Sequence, residues 1–339
     1  MLDLLENLCN LCAVSGDEND VRNYIKAELK NIDCEIESDN LGNLIIFKKG
    51  KNRPKNKVAI FAHMDEVGFV ASGINSEGFI SLTAVGGISD CVVFGRKIRF
   101  KSGVIGVLGG KPVHLLSEAE KEKQPSLSEL YADIGALYKE DAQDYVKLGD
   151  TAYFVGDFMD LKDGFIKSKA IDDRLGCAVM LDLLKSELEY DMYFVFTVQE
   201  EVGTRGAGVA AHSLNPDFAL VLEATTACDI PGVENEKQVC KLGHGTVVPF
   251  MDKGTVYDKE LYNLVFETAA ELNLKCQTKT QILGANDSAA IHKTIGGVRT
   301  ICLSAPCRYL HSPSCAVNKT DLLEMRILTE KSAYKIANK

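Results

Sequence analysis

The feature that most constrains the fold of this sequence is an alternation of helix-like and strand-like segments near both ends of the chain. An amphipathic helix, beginning near Ser15 or Asp17, is predicted over 17–31, and a buried strand is predicted over 58–70, VAIFAHMDEVGFV. After about residue 170 the alternation resumes and continues to the end of the chain. This order predicts an α/β domain in which helices cover a sheet.

The later elements of that domain follow the same reasoning. Helices are predicted for DDRLGCAVMLDLLKSEL, from Thr204, at 258–272, at 287–294 and from Thr320, and strands for MYFVFTVQ, at 218–224, at 275–282 and at 298–304.

The stretch from about 70 to 165 has a different texture. Its short β-type runs FISLTAV, KIRFKSGVIGVL and TAYFVGDFM are separated by glycines and by the charged loop EAEKEKQPS (118–126). Helical periodicity is scarce there, which favours a β-rich unit. We therefore expect an inserted domain at 70–165 that interrupts an α/β domain formed by 1–69 and 166–339.

Composition excludes several classes of function. The net charge of −10 and the pI near 5.2 offer no basic surface for nucleic acid. The first residues carry acids where a secretory signal carries Lys or Arg, and no apolar run approaches the roughly 20 residues of a membrane span, so we expect a cytoplasmic protein. The 11 cysteines favour reduced thiols, with the C-x-x-C pair Cys9 and Cys12 packed in the core.

Polar residues follow the apolar runs of five segments. In an open α/β sheet, ligands bind beyond the carboxyl ends of the strands, so these residues are candidates for one common site. The segments are AHMDE (His63, Asp65, Glu66), KAIDDR (Asp172, Asp173), TVQEEVG (Glu200, Glu201), LVLEATTACD (Glu223, Asp229) and CRYLHSPS (Arg308, His311).

Two imidazoles and several carboxylates suit zinc or a similar divalent ion, and the set is large enough for two ions. Because successive side chains leaving a strand point in different directions, one of Glu200 and Glu201 could bind metal while the other acts as general base. Simpler roles exist for each residue alone. A glutamate pair is often a solvated turn, and helix capping explains at least one of Asp172 and Asp173.

At these residues the sequence resembles the cocatalytic metallo-aminopeptidases of the tetrahedral, or TET, family, which includes glutamyl aminopeptidases and proteins labelled endoglucanase M. Seven stretches match in the family's order across nearly the whole chain: AHMDEVGF, GVIGVLGGKPVHLL, LYADIGA, KAIDDRLGCAV, FTVQEEVGTRGAG, GANDSAAIH and APCRYLHSP. The resemblance implies a mixed-sheet zinc-peptidase domain interrupted by a β-barrel or PDZ-like domain, and a dodecamer built from dimers through that inserted domain.

The resemblance also implies roles for individual residues. Two divalent metal ions, zinc or cobalt, would be bound by His63, Asp172, Glu201, Glu223 and His311, with Asp172 bridging them. Glu200 would be the general base, and Asp65 would orient His63. The family typically has aspartate where this chain has Glu223, which keeps the charge but adds a methylene.

The activity expected from this resemblance is removal of N-terminal residues from short peptides. A glycoside hydrolase and a non-catalytic scaffold are the alternatives; the histidines and the absence of Trp argue against the first, and the complete set of matched residues argues against the second. Arg308 could favour acidic substrates or make backbone or interface contacts, and His114 is assigned a structural or interface role. His212, His244 and His292 are expected to lie on the surface or in helix packing.

Overall fold

The computed structural model describes residues 1–123 and 125–339. Helices lie at α1 Leu2–Asn10, α2 Asn19–Glu28, α3 Glu118–Lys121, α4 Lys139–Gln143, α5 Ile171–Lys185, α6 Arg205–Leu214, α7 Lys259–Glu271, α8 Ser288–Ile291 and α9 Lys319–Ala337.

Strands lie at β1 Glu35–Ser38, β2 Leu44–Lys48, β3 Val58–His63, β4 Gly68–Ile74, β5 Ile80–Val85, β6 Lys97–Phe100, β7 Ile105–Gly109, β8 Tyr131–Asp133, β9 Thr151–Phe154, β10 Met159–Asp160, β11 Phe165–Ser168, β12 Met192–Thr197, β13 Phe218–Thr226, β14 Thr246–Val248, β15 Cys276–Thr278, β16 Arg299–Cys307 and β17 Cys315–Asn318.

The largest sheet is mixed and has the strand order β1-β2-β12-β3-β13-β16-β14-β15. Its central strands β12, β3, β13 and β16 are parallel, whereas β1 and β2 are antiparallel additions at one edge. The central strands are almost wholly apolar and buried, as expected when helices cover both faces of a parallel sheet. The predicted mixed α/β fold is therefore confirmed.

One predicted strand divides into two. The run at 58–70 forms β3, which ends at His63, and β4, which begins at Gly68. Between them the chain leaves the sheet, because the backbone N–H of Glu66 bonds to the carbonyl of Ala13 instead of to a neighbouring strand. This break places the side chains of 63–66 at the edge of the sheet.

Six strands close into a barrel in the order β4-β5-β8-β7-β6-β9. Alternate side chains point inward and form a separate apolar core, in which the rings of Phe69 and Phe154 meet edge to face at 5.1 Å. The β-rich texture predicted for this stretch is confirmed. Strand β11 is not part of the barrel: it pairs with β10 and with β17, and β17 lies near the end of the sequence. The domain boundaries at 70 and 165 stay a prediction.

Helix α5 lies at the centre of the larger core, against α1, β3 and β13. All 11 cysteines lie in the described ranges and are free thiols, and Cys9 and Cys12 are buried as predicted. Among the helices of residues 1–123 and 125–339, none is long and apolar enough to cross a membrane.

Candidate functional site

The candidate site lies at the carboxyl ends of the central parallel strands. His63 is the last residue of β3 and stands opposite Thr197, the last residue of β12, so the turn carrying Glu200 and Glu201 begins beside it. On the other side of β3, strand β13 carries Glu223, which stands opposite Ser304 of β16. The parallel register therefore brings His63 and Glu223, which are 160 positions apart in the sequence, together at the carboxyl ends of the strands.

His63 and His311 face the two oxygens of a single carboxylate. The Nε2 atom of His63 lies 3.2 Å from Oδ1 of Asp172, and Nε2 of His311 lies 3.3 Å from Oδ2 of the same residue. Glu223 is 3.6 Å from Nε2 of His63, and Glu201 is 3.4 Å from Nε2 of His311. Asp172 thus stands between two sets of donors, each made of one imidazole and one further carboxylate.

The far nitrogen of each histidine meets a backbone carbonyl. Nδ1 of His63 lies 3.0 Å from the carbonyl oxygen of Asp65, and Nδ1 of His311 lies 2.7 Å from that of Gly87. A carbonyl accepts only, so each Nδ1 carries the proton and donates it. Each Nε2 faces the carboxylates, and once a cation displaces its proton the remaining Nδ1–H form is the tautomer that a metal ligand needs.

The two aspartates at the start of α5 have different roles. Oδ1 of Asp173 accepts a hydrogen bond from the backbone N–H of Gly176, three residues later, as an N-cap does, so capping explains this residue as predicted. Asp172 has non-helical backbone angles, and its carboxylate faces the histidines instead of the helix. The backbone around the start of α5 therefore separates a capping side chain from one that faces the site.

Asp65 organises the turn that carries the glutamate pair. Its Oδ1 accepts from the backbone N–H of Glu200 at 3.0 Å, and its Oδ2 accepts from that of Glu201 at 3.1 Å. Oδ2 also accepts from the hydroxyl of Ser15 at 2.6 Å. Asp65 is fully buried, and together with its own carbonyl it holds both His63 and the glutamate turn in place.

The carboxylates of the site are crowded and shielded from water. Burial raises the pKa of Glu201 to about 8 and raises the pKa of Glu200 and of Glu223 well above the usual range. Burial acts in the same direction on Asp172, but hydrogen bonds with His311 and His63 hold its pKa below the usual value. Burial would lower the pKa of His311, yet the contact with Asp172 raises it to about 10.

These donors fit divalent metal ions. Two groups have ligand atoms within 4.8 Å of one another, one formed by His63, Asp172 and Glu201 and one by His63, Asp173 and Glu223. In the described chain, Oδ2 of the buried Asp173 has no hydrogen-bond partner, so this oxygen is available to a cation or to water. Imidazole nitrogen with carboxylate oxygen is the donor set of zinc and cobalt sites.

A cavity of about 580 Å³ opens beside these residues. Asp172, Glu200, Glu201, Glu223 and His311 lie along one part of its wall. This volume lies in the range of small-molecule and peptide sites, so the carboxylate cluster can meet a substrate of a few residues.

Comparison with known proteins decides the family. Residues 42–328 match the model of the M42 glutamyl aminopeptidase family. The chain belongs to the M42 glutamyl aminopeptidase family. A protein of Acetivibrio thermocellus described as a candidate aminopeptidase is 39% identical over 326 residues, covering 95% of each chain. The glutamyl aminopeptidase of Lactococcus lactis is 32% identical, covering 99% of this chain and 98% of the relative. The lysyl aminopeptidase of Pyrococcus furiosus is 31% identical, covering 91% and 90%.

Solved structures of proteins with similar sequences have the same fold. An aminopeptidase from Desulfurococcus kamchatkensis superposes with a TM-score of 0.92 at 32% identity, covering 99% of this chain and 94% of that one. The TET1 peptidase of Pyrococcus horikoshii, which can assemble into a tetrahedron or a large octahedral shell, has a TM-score of 0.86 at 31% identity, covering 100% and 99%. A Thermotoga maritima protein named endoglucanase has a TM-score of 0.81 at 34% identity, covering 98% and 99%.

Several polar residues predicted from this M42 sequence lie away from the site. Arg308 forms a two-point ion pair with Asp229, at 2.7 and 2.8 Å, so both residues neutralise each other beside the strand ends. His114, His212 and His244 are exposed, and Nδ1 of His292 meets the carbonyl oxygen of Ser288 within its own helical turn. The surface or helix-packing role expected for His212, His244 and His292 agrees with these positions.

Three residues near the site were missed in the sequence. Ser15 belongs to a loop that looked like a helix start, and Lys279 belongs to a predicted strand. Asp287 is buried, accepts a hydrogen bond from the Thr197 hydroxyl at 2.5 Å and has its pKa raised to about 6 by burial. An aspartate between Asn286 and Ser288 in a sequence of small residues was the available signal for it.

Proposed function

We propose that this M42 chain is a metal-dependent aminopeptidase that removes N-terminal residues from short peptides and uses two divalent ions. The observation that supports this most strongly is the position of Asp172, with one oxygen toward His63 and the other toward His311. In the proposal, one ion would be held by His63 and Glu223 and the other by Glu201 and His311, and Asp172 would serve both.

The bound ions supply Lewis acidity to the scissile carbonyl and lower the pKa of water. The protein's own groups do the remaining work. Glu200 faces the cavity, lies 4.0 Å from Nε2 of His63 and is assigned no metal. Its carboxylate takes a proton from the attacking water, whose oxygen bonds to the carbonyl carbon. As the C–N bond breaks, Glu200 returns that proton to the leaving amine.

The crowding of carboxylates has a consequence for the pH dependence of metal binding. Burial raises the pKa values of Glu201 and Glu223, so a metal ion that binds these carboxylates must displace their protons. Metal binding therefore releases protons, and metal affinity increases as the pH rises. The same negative cluster can attract the free α-amino group of a peptide. A blocked N-terminus lacks that positive charge, so acetylated peptides are expected to resist cleavage.

The test combines metal content with activity. The protein is loaded with zinc or cobalt, and release of amino acids from unblocked and acetylated peptides is measured before and after chelation. Glu200→Gln is expected to reduce kcat by about 10²–10⁴-fold with unchanged metal content. Loss of metal in this variant would make Glu200 a ligand and contradict its role as base. Cleavage of acetylated peptides would contradict the exopeptidase assignment.

The two alternative functions have less support. A glycoside hydrolase needs two carboxyl groups and no metal, which leaves His63 and His311 without a function. A solved structure named endoglucanase shares the fold, but fold alone does not carry activity. A scaffold would be favoured by a chain that takes up no stoichiometric metal, and cellulose hydrolysis that survives chelation would favour the glycosidase.

The proposal extends to assembly and domain organisation. Residues 70–165 form an inserted dimerisation domain, of which the barrel is the main part, and 1–69 with 166–339 form the zinc-peptidase domain. Dimers made through the inserted domain assemble into a tetrahedral dodecamer. The Pyrococcus horikoshii relative, which can assemble into a tetrahedron, supports this step. A cytoplasmic location remains a prediction.

A further inference from the structure

The cavity beside the metal-binding residues contains a cationic side chain that the proposed reaction does not use. Lys279 follows β15 and, among the residues of 1–123 and 125–339 that line this cavity, is the one Lys or Arg. The wall near it also includes the apolar residues Val239, Pro249 and Leu283. A peptide bound at the metal centre therefore shares the cavity with one ammonium group.

The Lys279 ammonium has a neutral partner only. Nζ donates to the carbonyl oxygen of Leu283 at 2.8 Å, and no ion pair joins it to a carboxylate in the part of the chain that the structure describes. An ammonium group has three donors, so two remain for another partner. The side chain is partly buried, and a charge removed from water is costly unless an opposite charge meets it.

The other cation near the strand ends is already neutralised. Arg308 is held by both oxygens of Asp229, and Oδ2 of Asp229 also accepts from the backbone N–H of Leu242. The sequence makes Arg308 a candidate group for favouring acidic substrates, but in the structure its guanidinium is paired with the carboxylate of Asp229. Apart from the proposed metal ions, Lys279 is therefore the Lys or Arg of the described cavity wall whose charge is available to a substrate.

We infer that Lys279 is a specificity-determining residue that binds the side-chain carboxylate of a glutamate or aspartate at the N-terminus of the peptide. This inference rests on the proposed aminopeptidase function. Val239, Pro249 and Leu283 pack against the methylene groups of such a side chain. The Lys279 ammonium repels a cationic N-terminal side chain. A large apolar side chain displaces water from the ammonium and offers no hydrogen-bond acceptor in its place. Membership of the family does not decide this preference, because its relatives include a glutamyl and a lysyl aminopeptidase.

The carboxylate could come from another part of a short peptide, its C-terminus, so the substrates are designed to separate the two. Initial rates are measured for the tripeptides Glu-Ala-Ala, Gln-Ala-Ala and Leu-Ala-Ala, each with a free or an amidated C-terminus. Glutamate and glutamine have nearly the same shape and differ in charge. The metal-loaded wild-type protein is expected to cleave Glu-Ala-Ala with a kcat/KM about 10- to 100-fold above that of Gln-Ala-Ala, with or without the amide.

Two variants separate charge from structure. Lys279→Gln keeps a donor for the carbonyl of Leu283 and removes the charge, and Lys279→Met removes both. Both are expected to lose the preference for glutamate, mainly through KM, while cleavage of Leu-Ala-Ala does not fall. Lys253→Met is the matched control. Lys253 is an exposed lysine whose backbone N–H donates to the carbonyl oxygen of Gly284, the residue after Leu283, at 2.9 Å. Its side chain, however, does not line the cavity. This control is expected to keep the wild-type preference.

Each outcome has a distinct meaning. An equal loss on all substrates in both Lys279 variants would assign the residue to loop structure and overturn the inference. A loss that follows the free C-terminus would assign the ammonium to the other end of the peptide and also overturn it. Cleavage of Leu-Ala-Ala without preference for glutamate would refute the inference and leave the aminopeptidase intact. Failure to cleave any unblocked peptide would overturn the proposed function, and the inference with it.

Binding gives a second readout that does not require turnover. In a Glu200→Gln background, calorimetry with intact Glu-Ala-Ala-amide and Gln-Ala-Ala-amide is expected to show a Kd about 10- to 100-fold lower for the glutamate peptide. Adding Lys279→Gln should remove this difference. Equal affinities before that substitution would overturn the inference.

Discussion

At the scale of single residues, the site depends on Asp65, which touches no reacting group. Its two oxygens accept from the backbone N–H groups of Glu200 and Glu201, so one carboxylate positions both the proposed base and a proposed metal ligand. Its carbonyl holds the Nδ1 proton of His63. A group with several contacts of this kind controls the orientation of the ligands around it.

Asp65→Asn tests this control. An amide has one acceptor oxygen where the carboxylate has two, so its NH₂ group would face Ser15 or one of the backbone N–H groups as a second donor. We expect metal affinity or kcat/KM to fall about 10- to 100-fold, measured by competition with a chelator and by peptide cleavage.

Ser15→Ala is the control for Asp65→Asn, since it removes one donor and leaves both backbone contacts of Asp65. Its effect is expected to be much smaller. Equal effects of the two variants would contradict the assignment of Asp65 as the organiser of the glutamate turn.

Single residues also show what could be predicted from sequence. Polar tips on apolar runs identified His63, Glu201 and Glu223 as candidates, because parallel strands bring their ends together whatever their spacing in the chain. The pairing of Arg308 with Asp229 could not be predicted, since it depends on β13 and β16 being neighbours with Thr226 opposite Cys307. Lys279 was missed for another reason: the strand predicted at 275–282 ends at Thr278, so Lys279 lies beyond it.

At the scale of elements, the start of α5 is held by close packing at Gly176. A Cβ atom there would lie 2.5 Å from Oδ2 of Asp173 and 2.9 Å from Cβ of Ala62 in β3. The helix can therefore approach the strand that carries His63 only because position 176 has no side chain. The apolar pattern predicted this helix, but the pattern does not reveal how close it comes to the sheet.

Gly176→Ala is expected to destabilise the protein by about 1–3 kcal/mol, because the methyl group must displace Asp173 or move α5 away from the strand. Urea unfolding measures the change in the free energy of unfolding, and weaker metal binding should accompany it.

Gly208→Ala in α6 is the matched control. There the added methyl would lie 3.5 Å from Cβ of Ala290, an ordinary contact, so this helix position should be neutral or gain up to about 1 kcal/mol. A neutral Gly176→Ala would show that the start of α5 is not tightly packed.

At the scale of the whole molecule, the barrel has an apolar outer strip. On β7 burial alternates: Gly106 and Leu108 are buried, whereas the side chains of Ile105 and Val107 are 47% and 46% exposed. Val113 and Leu115 lie in the short turn that follows Pro112 and are 70% and 59% exposed, and we group them with this strip. The sequence predicted strands here, but whether an alternating strand ends in water or against another subunit depends on contacts that one chain does not contain.

We expect this strip, formed by Ile105, Val107, Val113 and Leu115, to be covered in the dimer that builds the proposed dodecamer. Replacing Ile105 and Val107 by lysine places two like charges on each surface, and their burial between subunits would be unfavourable. Light scattering should show the wild-type protein as a dodecamer and the double variant as smaller species. The pair Ile105→Val and Val107→Ile keeps the surface apolar and should keep the assembly. If the double lysine variant still forms a dodecamer, the dimer contact lies on another face of the barrel. A stable wild-type monomer would refute the proposed assembly itself.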